Sequence, residues 1–128
     1  MKKAIIIHTN GEKEVVTFTD ETCYKVISGA VGGYVERVFL SDECYMWCNE
    51  DGIAKGLPLN TTASAIYAQT FKVGNPVLGN VVLTGADDDE GNTKGLHDLD
   101  IVKWMRYRRA IIPTAYLLDP MYQESADN

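Results

Sequence analysis

Lys3-Ala4-Ile5-Ile6-Ile7-His8-Thr9-Asn10-Gly11-Glu12-Lys13-Glu14-Val15-Val16-Thr17-Phe18 places two apolar, β-branched runs on either side of Asn10-Gly11. Asn-Gly accepts the positive φ angles of a tight hairpin turn, so residues 3–7 and 15–18 are expected to pair as antiparallel strands. An isolated hairpin is marginal in water, and the rest of the chain has to cover it.

Working outward, Thr19 or Asp20 is placed to cap a short helix running to about residue 28, with Gly29, Gly32 and Gly33 as breakers. Residues 34–40 and 44–48 read as two more strands around Ser41-Asp42-Glu43. Their alternation puts Tyr45 and Trp47 on one face and Cys44, Met46 and Cys48 on the other. Asn60 stands as N-cap before a helix over 61–70, and 77–83, interrupted by Gly79, reads as a late strand. A last helix is expected over 99–109, with Leu99, Val102 and Met105 on one apolar stripe and Pro113 beyond its end. The fold class expected is α+β: an antiparallel or mixed sheet of about five strands with two or three packed helices, occupying residues 1–112. Residues 113–128 form a tail whose Ala115, Tyr116, Leu117 and Leu118 are expected to pack on the domain or on a neighbouring subunit.

The chain has 128 residues, 45% hydrophobic and 23% charged, which suits one ordinary core rather than disorder. Its 18 acidic against 12 basic residues give a net charge of −6, a field that opposes general nucleic-acid binding and anionic membranes. There is no signal-peptide pattern and no transmembrane stretch, and Cys23, Cys44 and Cys48 lack Cys-x-x-Cys spacing. A cytoplasmic protein with free thiols is the expectation.

Val31-Gly32-Gly33-Tyr34-Val35-Glu36, Cys48-Asn49-Glu50-Asp51-Gly52, Gly56-Leu57-Pro58-Leu59-Asn60 and Gly79-Asn80-Val81-Val82-Leu83-Thr84-Gly85 follow one another in an order and spacing that resemble a known family. It is the phage and plasmid family called domain of unknown function 3846, and the resemblance spans roughly residues 3 to 110. It implies a small accessory protein of a mobile element, acting in the host cytoplasm, and brings no catalytic residues to carry over.

The chemistry-bearing residues are few. His8 and His97 have no metal-ligand spacing, and Cys44 and Cys48, four apart on a strand, lie about 13 Å apart, too far to share a metal. The acidic run Asp87-Asp88-Asp89-Glu90-Gly91-Asn92 is out of register for a calcium loop and reads as a solvated turn. No catalytic set, no metal site and no cofactor are therefore expected. Lys103, Trp104, Arg106, Tyr107, Arg108 and Arg109 make the last helix basic and aromatic in an acidic chain. Two readings stay open: cations complementing the helix dipole, or an anion site in which arginines fork a phosphate while Trp104 or Tyr107 stacks on a base. Tyr45 and Trp47 would add a second stacking wall if their face is not core. The tentative ligand set is Lys103, Trp104, Arg106, Tyr107 and Arg109, with Asn49 and Asn60 from the loop 49–60 as further members.

Three functions compete: sequestration of a nucleotide-derived, phosphate-bearing small molecule used by a host in antiphage defence; an acidic protein-interaction module that blocks a host protein by mimicking nucleic acid; and an enzyme of unrecognised type. A homo-oligomer, most simply a dimer, is expected from the apolar tail.

Overall fold

The hairpin turns at Asn10-Gly11, but only Gly11 takes a positive φ, 91°, and Asn10 does not. The Gly11 N–H donates to the His8 carbonyl at 2.9 Å and the His8 N–H to the Glu12 carbonyl at 2.8 Å, a wider loop than a two-residue turn with both residues left-handed. A computed structural model describes residues 1–107. Arg108, Arg109 and the tail 113–128 lie outside the described residues.

The turn joins β1 (Lys2–Ile7) to β2 (Lys13–Phe18). Then follow α1 (Cys23–Val31), β3 (Val35–Ser41), β4 (Cys44–Asn49), α2 (Thr61–Phe71), β5 (Val81–Gly85) and α3 (Asp98–Arg106). The five strands make one sheet in the order β2-β1-β5-β4-β3, and every neighbouring pair is antiparallel. The fold is α+β.

Strand alternation divides the core between the two faces of the sheet. Ile5, Ile7, Met46, Cys44, Cys48, Val81 and Leu83 meet α2 and α3 through Ala63, Ile66 and Trp104. Ala4, Phe18 and Val82 meet α1 through Ile27 and Val31, with Trp47 half-buried against them. Both faces of β4 are thus covered along part of their length, which is why its apolar residues run without a break.

Several boundaries depart from the sequence reading. α1 begins at Cys23 rather than at residue 20, because Thr19 and Thr22 bond one another's backbone N–H groups and Asp20 instead accepts from Lys2. Gly29 is carried inside α1, and Gly32, with φ 82°, ends it. β5 starts at Val81, not Val77, because residues 77–80 serve α2: the Asn60 N–H donates to the Val77 carbonyl and Leu78 bridges Leu59. α3 stops at Arg106, three residues short of the expected end, where Tyr107 turns extended (φ −56°, ψ 136°). Its stripe of Leu99, Val102 and Met105 faces outward, Leu99 being 84% exposed, while Ile101 and Trp104 face the sheet.

A strap positions α3. After β5 the chain returns so that Gly85 N–H donates to the Lys94 carbonyl and Leu96 N–H to the Lys3 carbonyl, at 3.0 and 2.9 Å. A Cβ on Gly95 would sit 2.7 Å from Lys3 N, and one on Gly85 would sit 2.6 Å from the Gly95 oxygen, so both close approaches require glycine. No described helix is long and apolar enough to cross a membrane.

Candidate functional site

α2 and α3 lie on the same face of the sheet and end beside each other. Between their C-terminal turns is a groove of about 610 Å³ lined by Ile66, Gln69, Thr70, Lys72, Lys103, Trp104, Arg106 and Tyr107. Ile66 and Trp104 are buried and give it an apolar floor, and the exposed Lys72, Lys103 and Arg106 stand around it. The groove therefore gathers four of the residues expected from the sequence (Lys103, Trp104, Arg106 and Tyr107).

Each side chain has a local reason for its place. Lys72 is the C-cap of α2 in the left-handed region (φ 60°), its N–H donating to the Ala68 carbonyl. Lys103 lies over Trp104, with Nζ 4.5 Å from the ring centroid, a cation–π contact on a ring already packed in the core. The rings of Trp104 and Tyr107 meet at 5.9 Å and 50°. Lys13 of β2 holds the end of α3 by donating to the carbonyls of Tyr107 and Met105, at 2.7 and 3.4 Å. Burial pushes the Tyr107 phenol up to about 12, and among the described residues its buried hydroxyl has no hydrogen-bond partner.

Both helices present their carbonyl ends here, so the local dipoles are negative and the three cations offset them. Backbone amides cannot supply an anion site at this place, and any anion must be met by the side chains themselves.

The family model for the domain of unknown function (DUF3846) matches residues 1–109. The chain belongs to the DUF3846 family. No curated protein and no solved structure matches it. The match takes in the whole groove of this DUF3846 chain, from Ile66 to Tyr107.

Other expected site residues of the DUF3846 domain are elsewhere. Asn60 is fully buried: its Oδ1 accepts from Ala63 N, and its Nδ2 donates to the carbonyls of Ile7 and Gly79, all at 3.0 Å. That uses both donor hydrogens and the cap, so Asn60 leaves the ligand set. Asn49 donates to the Val31 carbonyl at 2.9 Å and accepts from Asp51 N at 2.8 Å, pinning the loop 49–60 to the end of α1. It borders a second groove, of about 460 Å³, with the carboxylates of Glu36, Glu50 and Asp51, a lining unsuited to phosphate. Trp104 is too buried to act as an open stacking plate, which leaves the half-buried Tyr107 as the aromatic wall. Tyr45 and Trp47 lie on the α1 face, so the sheet separates them from the groove. There Arg37 lies 5.4–5.5 Å from the rings of Phe39, Tyr45 and Trp47 and pairs with Asp87 at 2.7 Å.

Asp88 Oδ1 accepts the N–H groups of Glu90 and Asn92, both at 2.9 Å, closing the acidic turn on itself. These bonds, the one from Asn92 first, hold its carboxyl below the usual range. Among the described residues no three His, Cys, Asp or Glu groups converge in a way that could hold a metal. Cys44 and Cys48 are buried thiols raised to about 11 and about 12, mainly by burial.

The sequence reading missed Lys72, Gln69 and Thr70. Twenty-five residues separate Lys72 from the start of α3 at Asp98, and its only local signal is a lysine just after an apolar helix.

Proposed function

We propose that this DUF3846 protein is a non-enzymatic accessory protein of a phage or other mobile element that binds and sequesters a nucleotide-derived, phosphate-bearing small molecule. The reading rests on one observation: two helices distant in sequence bring Lys72, Lys103 and Arg106 to the same apolar-floored groove. Against a net charge of −6, that clustering is a local reversal of sign. A guanidinium such as Arg106 forks phosphate oxygens, each charge-assisted bond contributing about 1.5–3 kcal/mol, and ammonium groups on either side add undirected attraction. Tyr107 and the apolar floor suit the ring and sugar of a nucleoside. Sequestration of a defence signal needs nothing more than such a site in sufficient copies.

Thermal unfolding in the presence of a panel of linear and cyclic nucleotides tests the reading, because a ligand at 100 times its Kd stabilises the native state by about 2.7 kcal/mol. A stabilising nucleotide recovered unchanged, with the shift abolished in Lys103→Ala/Arg106→Ala, is the expected outcome. Absence of stabilisation by every nucleotide, or a shift that survives the double substitution, refutes the site. Conversion of the nucleotide would replace sequestration by catalysis.

A further inference from the structure

β3 ends the sheet, and the parity of its hydrogen bonds can be read. Glu50 N–H donates to the Tyr34 carbonyl at 2.9 Å, so that pair is hydrogen-bonded, and by alternation so are Glu36↔Cys48 and Val38↔Met46. The N–H and C=O groups of Val35, Arg37 and Phe39 therefore point away from β4, along the outer edge. No loop or helix among the described residues donates to them or accepts from them. The pairing is regular from Val35 to Phe39, and the bulge that would disturb a new strand comes only between Phe39 and Ser41. Exposed rings crowd this edge, with Tyr34 68% and Phe39 56% exposed.

We infer that β3 is a self-association edge, on which a second copy of this chain adds its own β3 antiparallel about a two-fold axis at Val38. The strand is complementary to itself in that register. Arg37 falls opposite Phe39 of the partner subunit, both with outward-pointing backbone groups, so these pairs exchange hydrogen bonds while Val38 meets Val38 of the partner subunit in the closer, non-bonded position. Arg37 already lies 5.5 Å from its own Phe39 ring, and the second ring would extend the same cation–π stack across the axis. Neighbouring registers are worse: an axis at Arg37 sets two guanidinium groups against each other, and one at Phe39 puts Glu36 opposite Asp42 and draws the bulge into the ladder. The result is one continuous sheet through both copies, an isologous contact that closes on itself. β2, the other edge, lacks these features: its Lys13 is engaged with the end of α3, and Val15 is its one exposed large apolar residue.

Sedimentation velocity of the full chain over a concentration series tests this with two substitutions of opposite sign. Phe39→Arg places a cation opposite Arg37 of the partner subunit and should weaken association at least tenfold, whereas Phe39→Glu places a carboxylate there and should keep it within a few-fold of the original. Val38→Cys should form an intermolecular disulfide on mild oxidation, since residues facing one another in a non-bonded pair meet the bridge geometry, while Glu14→Cys on β2 should not. The cross-link decides the matter even if an arginine at 39 impairs folding. A chain that stays monomeric throughout, equal loss in both Phe39 variants, or no preference for cross-linking at Val38 overturns the proposal.

Discussion

Asn60 and Ile7 are joined by a buried hydrogen bond of 3.0 Å from side-chain amide to backbone carbonyl, which ties the first turn of α2 to the end of β1. The same amide holds Gly79, and its oxygen caps α2. Asn60→Ala should therefore cost more than an ordinary cap, about 3–5 kcal/mol, since two buried carbonyls lose their donor along with the cap. Asn60→Asp keeps the cap but sets a carboxylate against two carbonyls. Its deficit relative to the unaltered chain should be larger at pH 7 than near pH 4, where the protonated acid can donate once. Urea unfolding at the two pH values measures both.

Lys72 is the one described non-glycine residue with positive φ. A left-handed lysine costs about 1–2 kcal/mol relative to its preferred region, most of which glycine avoids. Lys72→Gly should raise stability by about 1 kcal/mol in chemical unfolding and weaken the groove for anions in the same protein. Unchanged nucleotide affinity would remove Lys72 from the site.

Cys44, Cys48 and Tyr107 all have folded-state values raised above the ordinary 9.0, 9.0 and 10.0, to about 11, 12 and 12. Raised acids are neutral in both states below pH 9 and ionise first in the unfolded chain, so the stability they contribute is intact below pH 9 and is lost as pH rises through 9 to 12. The unfolding free energy should be level from pH 7 to about 8.5 and then decline. Alkylation of the native protein at pH 8 should label the half-buried Cys23 well before Cys44 and Cys48.

Gly95→Ala tests the strap. A methyl 2.7 Å from Lys3 N displaces backbone, not a flexible side chain, so a loss of about 1–3 kcal/mol is expected. Because the strap leads directly into α3, nucleotide affinity should fall together with stability, whereas Gly91→Ala, in an open turn, should lower stability alone.

What the sequence disclosed was set by how local the physics is. The Asn10-Gly11 hairpin and the Asn60 cap depend on residues next to each other, and both stand where the sequence placed them. α3 was recognisable as a helix, yet its two apolar stripes, Leu99-Val102-Met105 and Ile101-Trp104, are equally periodic, and only packing on the sheet selects the second. The groove was half legible: α3 advertises its cations in one run, but Lys72 joins them through the tertiary placement of α2. The register that makes β3 self-complementary was invisible, since it depends on which backbone groups β4 leaves unpaired.

Among the described strands, β5 is the last to be synthesised and the one in the middle. Its partners Ile5, for Leu83, and Met46, again for Leu83, come from hairpins completed long before it. On a nascent chain those two hairpins cannot merge until Val81–Gly85 has emerged, and each must wait with an open inner edge and an uncovered apolar face. Folding of such a chain is dominated by pairings far apart in sequence, so it should be slow and all-or-none. The stretch of translation between Asn49 and Val81 is then the interval in which the chain is most exposed to aggregation and proteolysis.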